Sequence, residues 1–220
     1  MNNVFKRLNK PRITKFASSL VGHSLPARTK ANSSIVGVYV DKLVRIWAGA
    51  STGVTTGVDL KIFGIEVKTQ DIHTGSNWTI GTMTFADLVK TPYEESSLYE
   101  KLQALFLVRY DNELQIITDS NLHYMDNDEV QGIFKEAYET ARREAIAYLL
   151  NFKESLAQRM VVFGDEKITF AGSLQFKGTP GYCFEFTNSG TSFKFRVSNK
   201  AMKRATKLAT ANNTGLFEFV

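Results

Sequence analysis

Ala104-Leu-Phe-Leu-Val-Arg-Tyr110, then Asp111-Asn112, then Glu113-Leu-Gln-Ile-Ile-Thr118 is the stretch on which the fold class turns. Two β-rich runs separated by a turn-forming Asp-Asn pair predict a hairpin. The next segment changes period. From Asp128 to about Phe152, apolar residues at 130, 133, 134, 137, 138, 141, 145, 146, 148 and 149 form one helical stripe, with Asp126 or Asn127 as its cap. Alternation then returns in Ile168 to Phe176, Tyr182 to Thr187 and Thr191 to Val197, each bounded by Gly, Pro or Asn, and a short basic helix from Lys200 to Leu208 closes the chain.

Working back toward the N-terminus, Ile13 to Val21 and Ile35 to Trp47 read as helices, the second with Asn32, Ser33 or Ser34 available to cap it. A glycine-punctuated stretch from Gly49 through Gly57 reads as a connector, since it lacks the Gly-Lys-Ser/Thr ending of a nucleotide loop. Strands are expected around Asp59 to Lys68 and over Thr79 to Thr84. This order predicts an α+β class, an α/β-type mixed sheet flanked by helices. At 220 residues with 43% hydrophobic content, the chain makes one domain or two lobes, about 1–155 and 156–220.

The single cysteine, Cys183, excludes an internal disulfide, and no Cys/His cluster has zinc spacing, so a reducing cytoplasmic setting is expected. Cys183 reads as a small buried hydrophobe. The first twelve residues lack the apolar stretch of a secretory signal, and no run is long enough for a membrane span. His23, His73 and His123 stand apart from any partner at catalytic spacing, which removes support for a hydrolytic triad. Trp78 and the phenylalanines read as core.

Charge distribution says more than the net +5. Before the first acid, Asp41, come Lys6, Arg7, Lys10, Arg12, Lys15, Arg28 and Lys30. Between Glu185 and Glu218 lie Lys194, Arg196, Lys200, Lys203, Arg204 and Lys207 with no carboxylate. Two purely basic ends suit a phosphate polyanion, although basic tails are also common as plain solvated surface. Lys30, Arg196, Lys200, Lys203 and Arg204 are therefore candidate DNA contacts.

The acids gather in the middle, and there Asp59-Leu-Lys-Ile-Phe-Gly-Ile-Glu66-Val-Lys68 sets two carboxylates and an ammonium at a spacing that can converge. Glu66 and Lys68 project from one face of a strand, and Gly64 leaves room for a bend. Two carboxylates are enough for a magnesium ion, which keeps several waters and takes phosphate oxygens. The spacing alone is weak, since at about 6% per residue type it arises by chance in about one chain in twenty of this length. The same residues also fit an ordinary half-buried strand.

Four segments in order raise the functional reading. Val36-Gly-Val-Tyr-Val-Asp41, Ile46-Trp-Ala-Gly-Ala-Ser51, Phe63-Gly-Ile-Glu66-Val-Lys68-Thr69 with Asp59 before it, and Glu100-Lys101-Leu-Gln-Ala-Leu-Phe-Leu-Val108 together resemble the mismatch-repair endonuclease MutH and its related type II restriction enzymes. The resemblance covers about residues 15 to 205. It implies a restriction-endonuclease-like fold, magnesium held by Asp59 and Glu66, Lys68 as the motif lysine, and Lys101 as a second site lysine. Asp41 takes the place of that family's helical glutamate, with about four extra residues before the Trp-Ala-Gly-Ala segment; one added turn preserves the helix facing.

Leu174-Gln-Phe-Lys177-Gly-Thr179 is similar to the family's recognition loop, with Lys177 in place of arginine and Thr179 in place of lysine. Phe193-Lys194-Phe-Arg196 resembles its late aromatic strand, with Lys194 in place of the tyrosine that senses adenine methylation. Lys and Arg do not contact guanine equivalently, so Lys177 and Lys194 also fit plain phosphate contacts.

The expectation is a magnesium-dependent endonuclease on double-stranded DNA, a restriction enzyme at GATC or a related short site, acting as a monomer or homodimer. The alternatives are a repair nickase that needs a MutL-like activator and a catalytically silent DNA-binding relative. Joint presence of Asp59, Glu66, Lys68 and Lys101 favours an enzyme.

Overall fold

A computed structural model describes residues 10–27, 34–49, 59–60, 64–74, 77–154, 174–186 and 192–214. Its class is α+β, with two sheets flanked by helices. In chain order the elements are α1 (Lys10–Ser19), α2 (Ile35–Ala48), β1 (Glu66–Asp71), β2 (Trp78–Thr84), α3 (Phe85–Lys90), a 3-10 turn (Tyr93–Glu95), α4 (Ser97–Lys101), β3 (Ala104–Asp111), β4 (Ile116–Tyr124), α5 (Asp128–Glu154), β5 (Gln175–Lys177), β6 (Tyr182–Phe186), β7 (Ser192–Val197) and α6 (Asn199–Thr214).

The first sheet is mixed, in the order β1-β3-β4, with β1 parallel and β4 antiparallel to β3. β3 is its centre and divides two cores. Phe106 and Val108 face Ile13 and Ala17 of α1 and Val36, Val40 and Val44 of α2. Leu105 and Leu107 face the opposite way, into a core shared with α5 and the second sheet. Burial on both faces explains why this strand reads as a continuous apolar run.

The second sheet is antiparallel, in the order β2-β7-β6-β5. β2 precedes residue 155 yet pairs with β7, so the later strands share their sheet with an earlier one. Phe85, Phe176 and Phe193 lie 5.2–6.1 Å apart by ring centroid, and the Tyr148 ring of α5 meets Phe176 edge-on at 5.8 Å. This aromatic knot ties α3, β5, β7 and α5 together at separations where tilted rings attract.

Several expected boundaries shift for identifiable reasons. The strand expected from Glu113 begins at Ile116, because Asp111 Oδ1 accepts from the N–H groups of Glu113 and Leu114 and spends those residues on a loop. The same strand runs on to Tyr124 through Asp119, Asn121 and His123, polar residues on a face of β4 that hide the alternation. α3 went unforeseen although Thr84 and Asp87 make a capping box at its start. The α5 cap is Asn127, whose Oδ1 accepts the Val130 N–H at 2.9 Å. Ser34 holds the N-cap position of α2 without a side-chain capping hydrogen bond, while Asn32, Ser33 and the Gly49–Gly57 stretch beyond Gly49 lie outside the described residues. Of the strand expected over 168–176, only its end is described, within β5.

Trp78 is buried, as are the core phenylalanines. Cys183 is half-buried rather than enclosed, with Sγ 3.4 Å from Gln175 Nε2, and burial pushes its thiol up. Among the described residues, no helix is long and apolar enough to cross a membrane.

Candidate functional site

β1 is an edge strand, and the chain just before it folds back on itself. Leu60 and Ile65 exchange backbone hydrogen bonds of 2.9 and 3.3 Å as an isolated antiparallel bridge, and Gly64 beside it takes φ +64°. In an antiparallel pair of this register, Asp59 falls directly opposite Glu66, with Cβ atoms about 4.5–5.5 Å apart. The seven-residue spacing thus becomes a cross-strand pair. Both carboxylates also accept backbone hydrogen bonds across the pair: Asp59 N–H donates to Glu66 Oε2 at 3.2 Å, and Val67 N–H donates to Asp59 Oδ2 at 2.9 Å.

Glu66 is 1% exposed, and a carboxylate at that depth needs compensation. Two ammonium groups supply it. Lys68 Nζ lies 2.6 Å and Lys101 Nζ 2.9 Å from the same oxygen, Oε1. Lys68 comes from the same face of β1. Lys101 arrives from the end of α4 by crossing β2 at Gly81, where a Cβ would stand 3.3 Å from Lys101 Cδ and 2.8 Å from Leu98 Cδ2. A register shift in β2 between Thr79 and Gly81 accompanies that crossing. The absent side chain at 81 is what lets the lysine stem lie against the strand.

α2 brings the remaining charges. Gly37 packs so near β1 that a Cβ there would meet Thr69 Oγ1 at 3.3 Å, and Asp41 stands one turn further along. Asp41 binds Arg45 through Nε at 2.8–2.9 Å, and Arg45 Nη2 reaches to 3.6 Å from Asp59 Oδ1. Burial raises the Asp41 carboxyl above its ordinary value. The Asp59 charge pushes the same way, while the Arg45 hydrogen bond and the charges of Arg45 and Lys68 pull it back. Asp41, Asp59, Glu66, Lys68 and Lys101 therefore meet at one place, with Arg45 among them. Asp41 and Asp59 keep 32% and 27% of their side chains exposed, so the site opens to solvent.

Arg45 was not singled out from the sequence. Its signal was the i,i+4 spacing to Asp41, which on a helix brings opposite charges together. Gly81 gave no signal, because its role depends on a residue twenty positions away.

The candidate DNA-reading residues lie on the second sheet and α6. Lys177 is exposed at the end of β5, its N–H bound to Glu144 of α5 at 2.6 Å. Lys194 and Arg196 occupy alternate positions of β7, and Arg196 pairs with Glu185 of β6. Thr179, Lys200 and Arg204 line a cavity of about 570 Å³ with Tyr182 and Ser198, and Lys203 is exposed nearby on α6. Lys30 lies outside the described residues.

The isolated histidines have ordinary partners. His23 contacts the Tyr39 hydroxyl at 3.3 Å, and His73 Nε2 pairs with Asp111 Oδ1 at 3.1 Å. His123 is half-buried, and that burial lowers its affinity for a proton.

No protein-family model matches the chain, and no curated protein matches it.

Asp59 and Glu66 are the residues that could hold a hard cation such as magnesium. Among the described residues, no three carboxylate, imidazole or thiolate groups are arranged to share one metal ion. A magnesium ion would rest on Asp59 and Glu66 and fill its remaining positions with water and phosphate, as this strongly hydrated ion does elsewhere.

Proposed function

We propose that the protein is a magnesium-dependent endonuclease of double-stranded DNA with a restriction-endonuclease-like fold, acting as a type II restriction enzyme at GATC or a related short site. The observation that carries this reading is the meeting of Asp59, Glu66, Lys68 and Lys101 at the solvent-open edge of β1. The four-segment resemblance to MutH and its restriction relatives supports it, as do the acid-free basic ends of the chain.

The residues divide the work as follows. Asp59 and Glu66 would hold the metal, which when bound neutralises the scissile phosphate and lowers the pKa of an attacking water. Lys68 and Lys101 bring positive charge to the non-bridging oxygens, where negative charge builds during in-line attack. Glu66 fixes both ammoniums, so one buried carboxylate sets the position of two electrostatic stabilisers. Asp41, at the outer side of the site, completes the acidic cluster. Lys177, Thr179, Lys194, Arg196, Lys200, Lys203 and Arg204 would contact the DNA, with Lys177 and Lys194 serving for base or phosphate contact. Products would carry 5′-phosphate and 3′-hydroxyl ends.

Purified protein incubated with unmethylated plasmid and magnesium, without any other protein, tests the proposal. Linear product, abolished by EDTA, is the expected result. Weak nicking that a MutL-like activator enhances would instead indicate a repair nickase. DNA binding with no strand break would indicate a silent DNA-binding protein.

A further inference from the structure

Arg45 is 4% exposed and lies between the two more open carboxylates of the site. We infer that Arg45 is the site's resident counter-ion, competing with the divalent cation for Asp59, so that metal binds the free protein weakly and gains Asp59 only as the guanidinium lets go. This inference rests on the reading of Asp59 and Glu66 as metal ligands.

The geometry is asymmetric in a way that suits release. Arg45 is anchored on Asp41, with Nε at 2.8–2.9 Å from both oxygens of a residue one turn away on the same helix. Its hold on Asp59 is looser: Nη2 to Oδ1 is 3.6 Å, an electrostatic approach longer than a hydrogen bond. Asp59 Oδ2 is engaged with the Val67 N–H. Oδ1 is therefore the oxygen that Arg45 and a metal ion would both use.

Charge leads to the same conclusion. Among the described residues, three carboxylates, Asp41, Asp59 and Glu66, face three cations, Arg45, Lys68 and Lys101. A neutral cluster exerts little pull on a divalent ion, whereas removing one of its cations leaves a deficit that the ion can fill. Lys68 and Lys101 are committed to Glu66, which among the described residues leaves Arg45 as the cation that answers for Asp59.

Mn²⁺ is the probe, with its free concentration followed by the electron paramagnetic resonance of the hexaaqua ion. Relative to the unaltered protein, Arg45→Met should bind Mn²⁺ at least about tenfold more tightly, because it keeps the stem of the side chain and removes the charge. Arg45→Lys, which keeps the charge, should stay within about threefold. Arg45→Met leaves Asp41 and Asp59 facing each other and can lose the fold. The charge-balanced pair Asp41→Asn with Arg45→Met avoids this and should still bind more tightly than the unaltered protein. Unchanged or weaker binding in the folded variants, including no binding in any of them, overturns the inference. Plasmid cleavage is scored separately. Tighter Mn²⁺ binding by the variants without cleavage by the unaltered protein keeps the counter-ion and removes the nuclease reading; cleavage with unchanged Mn²⁺ affinity does the reverse.

Discussion

The charges at the edge of β1 and those along α6 are held in opposite ways. At the β1 edge, six charged side chains pair in two groups of three, around Arg45 and around Glu66, and both of these central residues are buried. Along α6, Lys200, Lys203, Arg204 and Lys207 stand exposed on a surface with no acid in the helix. Fixed, partly desolvated charges can act on a single phosphate at defined positions. Exposed lysines and arginines on long stems attract a polyanion without specifying where its atoms go. The first arrangement suits chemistry and the second suits docking, so perturbations of the two should separate turnover from binding.

Among substitutions that spare Glu66, the largest effect should come from Lys68→Ala, which removes a cation from the scissile phosphate and one of the two ammonium groups on Glu66. Single-turnover cleavage should fall by about 10²–10³-fold, the range for losing one such stabiliser, while DNA affinity stays within a few-fold. Equal losses in both would erase the contrast between the regions. Gly81→Ala is a subtler probe. A methyl group 2.8 Å from Leu98 Cδ2, a buried side chain, must displace Leu98 or the Lys101 stem. Overpacking of this kind costs about 1–3 kcal/mol, visible in urea unfolding, and should be accompanied by slower cleavage if Lys101 is moved. On the docking side, replacing Lys203 and Arg204 with alanine should weaken DNA binding and flatten the log–log salt slope by about 1.8, at about 0.9 per phosphate contact, with the chemical step in bound complexes nearly unchanged.

The smallest expected effect lies away from both regions. His73 pairs with Asp111 between the ends of β1 and β3; that hydrogen bond raises the imidazole pKa, while backbone N–H groups and His73 lower the carboxyl pKa. A raised imidazole pKa means stability that is present at mildly acidic pH and lost as pH rises through the folded-state value. The lowered carboxyl extends the pair's contribution downward until Asp111 itself is protonated. The difference in melting temperature between the unaltered protein and His73→Ala should therefore be larger near pH 5.5 than near pH 8.5. No change in either cleavage or DNA affinity is expected.

How much of this was legible in the sequence depended on how local the cause was. The long helix α5 and strand β3 were plain because their periodicity is produced by their own neighbours. The Asp59 and Glu66 pairing was readable as a spacing, but its cause, an antiparallel bridge between Leu60 and Ile65 with Gly64 at positive φ, was not. Lys101 was reached only through a resemblance, since its path to Glu66 crosses a different strand. The junction of β2 with β7 was out of reach, because strand pairing over more than a hundred residues leaves no periodic trace in either segment. Arg45 was hidden by its charge, as a buried cation is expected to be rare until its partners are seen.

The most direct test is Glu66→Gln, assayed for DNA affinity and for magnesium-dependent single-turnover cleavage on the same preparation. This change keeps the volume of the side chain while removing the negative charge that would hold a metal ion and that fixes both lysines. The account predicts DNA affinity within about threefold of the unaltered protein and cleavage reduced by at least about 10³-fold. Cleavage by Glu66→Gln at the rate of the unaltered protein would contradict it, because the chemistry would then lie somewhere other than the edge of β1.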